Sequence, residues 1–174
     1  MSHQAFKNVR VLLVEDNPHM RRLLGSLLRA IGFQNIIESN DGSAGLSAIK
    51  DVSPDLVLVD LEMRPLDGIE FTRHVRTSDD SPCPYIPIIM VTGHSARLKV
   101  EEARDAGVSE FLAKPVTGKG LFSRVQEVIL RPRPFIQCAG FFGPDRRRRD
   151  NPKFAGPYLR ATDNANDQDT FEVL

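Results

Sequence analysis

The chain has 174 residues, 41% hydrophobic and 26% charged, the balance of a globular chain with length for one full domain and a remainder. Lys+Arg and Asp+Glu both number 23, so no net field draws the whole molecule onto nucleic acid or a membrane surface. Two cysteines, Cys83 and Cys138, are too few for a disulfide framework, no apolar run has the length of a membrane span, and the early run Val11-Leu12-Leu13-Val14 breaks at Glu15 before it can form a signal core, so a cytoplasmic protein is expected.

In chain order, a β-branched and Leu-rich run at 9–14 ends in Glu15-Asp16. Asn17-Pro18 then places a capping side chain before a proline at the first helical position. Leu23, Leu24, Leu27, Leu28 and Ile31 follow at helical spacing, and Gly32 supplies the stop. A second run at 36–38 precedes Asp41-Gly42, a turn into a helix marked by Leu46 and Ile49. The third run, 56–59, ends in Asp60, and Asp67-Gly68 opens a helix carrying Ile69 and Val75. The fourth, 86–91, ends in Thr92-Gly93 and leads to Leu98, Val100 and Ala103, with Gly107 closing that helix. The fifth, 110–113, ends in Lys114-Pro115 and precedes Leu121, Val125, Val128 and Ile129. Five strands, each followed by a helix, predict an α/β fold with a doubly wound parallel sheet covered on both faces. The continuously apolar runs at 11–14, 56–59 and 88–91 suit central strands; the weaker second and fifth suit edges.

Beyond Leu130 the texture changes. Arg131-Pro132-Arg133-Pro134 cannot continue a helix, because each proline removes a donor and restricts its predecessor. Residues 131–174 hold five of the 12 prolines and no apolar periodicity. Charge shifts there too: residues 1–130 carry 15 basic and 17 acidic side chains, 131–160 carry eight and two, and the last 14 residues are net −4. A domain at 8–130 and a Pro-, Arg- and aromatic-rich extension at 131–174 are expected, the extension carrying no recognised output domain.

In an open parallel sheet, ligands sit outside the carboxyl ends of the strands. A lone Asp there is ordinarily a turn former or cap, and a lone Thr-Gly or Lys-Pro is only a turn. Glu15-Asp16, Asp60, Thr92 and Lys114 at four matching strand ends are a different signal. Crowded carboxylates repel and need a counter-charge, and hard oxygen donors suit Mg²⁺. A metal would hold Asp16 and Asp60 together while the Lys114 ammonium balances the remaining charge. Metal, ammonium and the Thr92 hydroxyl would together neutralise an incoming phosphoryl group. A carboxylate in that setting can itself be the nucleophile, and Asp60, on the central strand, is the candidate acceptor.

Residues of about 8–130 resemble the receiver domain of two-component response regulators (CheY-like). The resemblance runs through Val11-Leu12-Leu13-Val14-Glu15-Asp16, Asp55-Leu56-Val57-Leu58-Val59-Asp60, Met63, Asp67-Gly68, Val91-Thr92-Gly93 and Phe111-Leu112-Ala113-Lys114-Pro115. It implies a flavodoxin-like (βα)₅ sheet in order 2-1-3-4-5. It also implies phosphoryl transfer to Asp60 from a histidine kinase or phosphotransfer protein, and signalling by phosphorylation-dependent protein–protein contact. By the same resemblance Asp16 and Asp60 are direct Mg²⁺ ligands, Glu62 contributes its backbone carbonyl, and Glu15 acts indirectly. Thr92 and Lys114 bind phosphoryl oxygens, Thr92 and Phe111 form the switch, and the Lys114-Pro115 bond is cis. Such a domain is no enzyme beyond self-phosphotransfer and slow autodephosphorylation. Arg64 stands between Met63 and Pro65, a departure from the family pattern. By the resemblance, Glu62 and His94 occupy positions that flank the route of the hydrolytic water in this family, which makes them candidate modulators of dephosphorylation.

Two other readings compete. Leu58-Val59-Asp60-Leu61-Glu62 superficially resembles the aspartyl-phosphate loop of dehalogenase-like phosphohydrolases, and a degenerate receiver could serve as a non-phosphorylated docking module; the intact acidic set argues against the latter. In the extension, Arg146-Arg147-Arg148-Arg149 is flanked by Asp145 and Asp150, which reads as a solvated or partner-facing cluster; nucleic acid is not the expected partner. Phe135, Phe141, Phe142, Phe154, Tyr158 and Phe171 are six of the chain's 12 aromatics, a density foreign to solvating tails. Residues 135–158 are therefore expected to dock rings on a receiver face, in the same chain or across a homodimer, and to sense the switch through the helix-four to helix-five surface. The cognate kinase, stimulus and downstream protein target are not legible.

Overall fold

A computed structural model describes residues 6–93, 97–138, 140–145 and 172–173. Ten elements alternate: β1 (Arg10–Val14), α1 (Pro18–Ile31), β2 (Asn35–Ser39), α2 (Gly42–Val52), β3 (Leu56–Asp60), α3 (Gly68–Thr77), β4 (Ile88–Thr92), α4 (Arg97–Asp105), β5 (Glu110–Ala113) and α5 (Gly118–Leu130). The five strands form one parallel sheet in order β2-β1-β3-β4-β5. Alternate residues of the central strands feed two cores. Leu12, Val14, Val57, Val59, Ile88 and Met90 pack on one face with Ile49, Ile69, Phe71 and Ala103. Val11, Leu13, Leu56, Leu58, Ile89 and Val91 pack on the other with Leu24, Leu28, Leu121 and Val125. Each fully buried branched or aromatic side chain contributes about 1.5–3 kcal/mol, and strands buried on both faces read as unbroken apolar runs for that reason.

Local chemistry sets the boundaries. The Asn17 side chain accepts from the His19 and Met20 amides at 2.9 and 3.1 Å, and α1 ends where Gly32 turns left-handed at φ 117°. Asp67 and Glu70 cap α3 reciprocally: Asp67 Oδ1 accepts from the Ile69 and Glu70 amides, and Glu70 Oε2 accepts from the Asp67 amide. The fourth strand starts later than the 86–91 expected. Pro87 has no amide to give a ladder, and Ile86 donates instead to the Cys83 carbonyl in a turn. The buried core reaches back to Phe6, which stacks on Phe33 with centroids 5.0 Å apart.

Part of the extension builds a second, smaller sheet. Phe135–Cys138 (β6) and Phe141–Pro144 (β7) form an antiparallel hairpin about Gly140, whose φ is +78°. Glu172–Val173 (β8) pairs with the other edge of β6. Phe135 and Phe142 meet Tyr85 edge-on, with centroids 5.3 and 5.2 Å away, and the Arg76 guanidinium lies over Phe135 at 5.0 Å. Phe135 and Phe142 thus dock on their own chain, at the base of the sheet beside α3 and the α4–β5 turn. Residues 146–149, Phe154, Tyr158 and Phe171 lie outside the described residues. Among the described residues no helix is long and apolar enough to cross a membrane.

Candidate functional site

Strand order reverses between β1 and β3: the chain leaves β1 to one side for β2 and crosses back for β3. The crevice above their carboxyl ends is therefore left open. Glu15 and Asp16 follow β1, and Asp60 ends β3. Carboxylate oxygens of Glu15, Asp16 and Asp60 all lie within 4.8 Å of one another. Glu15 and Asp60 are 1% and 4% exposed, whereas Asp16 faces solvent.

Lys114, following β5, spans the gap. Its Nζ lies 2.8 Å from Asp60 Oδ1 and 3.8 Å from Glu15 Oε2. One ammonium does not offset the cluster. Burial pushes the Glu15 carboxyl up from its ordinary 4.5 to about 7, with the Asp60 charge adding to the rise and Lys114 and the Asn17 amide opposing it. Burial likewise raises the Asp60 carboxyl against the pull of its Lys114 hydrogen bond. Glu15 Oε2 is buried and accepts no hydrogen bond among the described residues. An orphaned carboxylate oxygen, three hard donors in reach of one point and carboxyls held above their ordinary range fit a divalent cation such as Mg²⁺.

The loops around the cluster are held by contacts that the sequence does not announce. Arg21 of α1 donates Nη1 to the Glu15 carbonyl at 2.7 Å, and its Nε lies 3.7 Å from Glu38 of β2. The Asn17 amide donates to Glu15 Oε1 at 3.1 Å, so the Asn17 legible as a cap also steadies the acid. A Cβ on Gly68 would lie 2.3 Å from the Asp60 carbonyl oxygen, so glycine lets α3 begin directly against the acceptor strand.

The other expected residues are less closely gathered. Thr92 is buried at the end of β4, beside β3, and its hydroxyl donates to the Gly93 carbonyl at 3.2 Å. Phe111 of β5 is half-buried, against the core on the α2–α4 side. Glu62 is exposed, two residues past Asp60. The Lys114–Pro115 bond is cis, as is Arg64–Pro65. His94 lies outside the described residues.

Known proteins resemble the chain in sequence and fold. The family profile of the response regulator receiver domain matches residues 11–126, and the chain belongs to that family, whose members signal by phosphorylation. Chemotaxis protein CheY-3 of Vibrio cholerae is 33% identical over 125 residues, covering 72% of this chain and 95% of that protein. Chemotaxis protein CheY of Pseudomonas aeruginosa is 32% identical over 123 residues, covering 71% and 98%. Among solved structures, the receiver domain of the sensor histidine kinase PA1611 of Pseudomonas aeruginosa, with a magnesium ion coordinated in its active-site cleft, is 28% identical at a TM-score of 0.61, covering 68% of this chain and 95% of that one. The Vibrio cholerae chemotaxis protein CheY4 is 26% identical at a TM-score of 0.63, covering 70% and 98%. Neither the phosphohydrolase nor the docking-module reading is favoured by these likenesses.

Proposed function

We propose that Asp60 accepts a phosphoryl group from a histidine kinase or phosphotransfer protein. The supporting observation is the pairing of Asp60 with Lys114 at 2.8 Å inside a cluster completed by Glu15 and Asp16. A carboxylate oxygen of Asp60 attacks phosphorus as the bond to the donor histidine nitrogen breaks, and that nitrogen keeps the electron pair. Lys114 moves from the carboxylate to a phosphoryl oxygen, and the Thr92 hydroxyl gives up the Gly93 carbonyl to donate to another. Asp16, Asp60 and the Glu62 carbonyl would hold Mg²⁺, with Glu15 acting indirectly; the cation supplies charge neutralisation to the phosphoryl oxygens. Thr92's inward movement makes room for Phe111, and the altered surface signals to a protein target. The chain is a cytoplasmic switch with only slow self-dephosphorylation, which Glu62 and His94 modulate.

Incubation with a small phosphodonor, followed by intact-mass measurement, tests the assignment. The parent gains one phosphate in Mg²⁺ and none in excess chelator, and Asp60→Asn gains none. A full gain by Asp60→Asn overturns the reading.

A further inference from the structure

β5 is tied at both ends. Past its carboxyl end, Lys114 contacts Asp60 Oδ1 at 2.8 Å. At its amino end it meets Arg133 of the extension, which donates to the Ser109 carbonyl and stands 3.8 Å from Glu110 Oε1. The same guanidinium donates to the Asp145 carbonyl at 2.7 Å, while the Asp145 amide donates to the Pro134 carbonyl, so one side chain joins the open end of the β6–β7 hairpin to β5. Glu110 is 3% exposed, and its second oxygen faces Arg124 of α5 at 3.4 Å.

The hairpin seats without slack. A Cβ on Gly143 would lie 2.8 Å from Gly107 Cα, and one on Gly107 would lie 2.7 Å from the Phe142 carbonyl. Beneath the rings, Arg76 is 4% exposed and donates Nε to the Gly107 carbonyl at 3.0 Å and Nη1 to the Pro84 carbonyl. The hairpin lies outside the residues that the family profile matches.

We propose that the β6–β7 hairpin is a built-in reader of the phosphorylation state, released from the base of the sheet through β5 when Asp60 is phosphorylated. The proposal rests on Asp60 being the acceptor. A phosphoryl group on Asp60 draws Lys114 off the carboxylate and onto a phosphoryl oxygen. β5 has only four residues, all paired with β4, so a displacement at Lys114 reaches Ser109 and Glu110. There the Arg133 contacts and the Gly107–Gly143 approach have no room to follow. Tightly packed interfaces answer such shifts by changing between discrete arrangements. Linkage makes the coupling reciprocal: a chain with a weakened hairpin binds the phosphoryl group, or its mimic, more tightly.

The test is amide hydrogen exchange at residues 135–138 and 141–143 of the full chain, with and without beryllofluoride and Mg²⁺, together with beryllofluoride titrations of the parent and Arg133→Gln. Beryllofluoride is expected to speed exchange of the hairpin amides about five-fold or more, and Arg133→Gln to bind beryllofluoride about five-fold more tightly. Unchanged or slower hairpin exchange in a parent chain saturated with beryllofluoride overturns the proposal and leaves the acceptor assignment standing. An Asp60→Asn chain that still gains phosphate overturns the acceptor assignment, and the proposal with it.

Discussion

Replacing Glu15 with glutamine should stabilise the metal-free protein at neutral pH. Glu15 is almost wholly buried beside Asp60, and its carboxyl is pushed from 4.5 to about 7. Below pH 4.5 it is protonated in both folded and unfolded chains, and no cost arises. Between 4.5 and about 7 the unfolded chain releases its proton while the folded chain keeps it, so stability falls as pH rises. Above pH 7 the loss is complete, at about 3 kcal/mol, since each pKa unit is worth about 1.4 kcal/mol. For a chain of this length that corresponds to roughly 6–12 °C in Tm. The raised Asp60 carboxyl adds to the loss in the same direction. Glutamine keeps the shape of the side chain and cannot ionise. Urea unfolding followed by circular dichroism in excess chelator should therefore show Glu15→Gln close to the parent at pH 5 and about 3 kcal/mol more stable at pH 8. Mg²⁺ at pH 8 should narrow the gap by stabilising the parent. A parent whose metal-free stability is flat or rises from pH 5 to 8, or a variant no more stable than the parent at pH 8, would refute the reasoning.

Lys114→Met removes the ammonium 2.8 Å from Asp60; phosphate uptake from a small donor, followed by intact mass, should slow by about 100-fold or more. Arg21→Met frees the Glu15 carbonyl and should weaken Mg²⁺ binding about 10-fold in titration calorimetry; unchanged affinity would show that the loop needs no such strut. Gly107→Ala forces a side chain onto a φ of +95° and against the Phe142 carbonyl. It should cost about 1–2 kcal/mol in urea unfolding from the backbone conformation alone, with faster exchange at 141–143.

Much of the receiver was legible from local signals. Continuous apolar runs marked β1, β3 and β4 because both of their faces are covered, and Asn17, Asp67 and the glycines marked helix ends because capping is chemistry between near neighbours. Reading the strand ends together brought Glu15, Asp16, Asp60 and Lys114 to one edge, since a parallel sheet puts all its carboxyl ends there. The hairpin was not legible in the same way. Four-residue strands reading Phe-Ile-Gln-Cys and Phe-Phe-Gly-Pro give too little alternation to stand out, and their partners, Tyr85 and Gly107, lie far back in the chain.

The sequence by itself determined the order of elements, the two-faced sheet and the identity of the acidic edge, because each follows from periodicity, capping and topology. Tertiary structure alone decided how much charge is buried. Arg76 finds its acceptor 31 residues away at Gly107, and Arg133 finds one 24 residues away at Ser109. It likewise decided that Glu15 loses its water while Asp16 keeps it, although the two are adjacent in sequence. Desolvation depends on what the rest of the chain packs against a group, which is why the acidic edge could be read from the residues and its electrostatics could not.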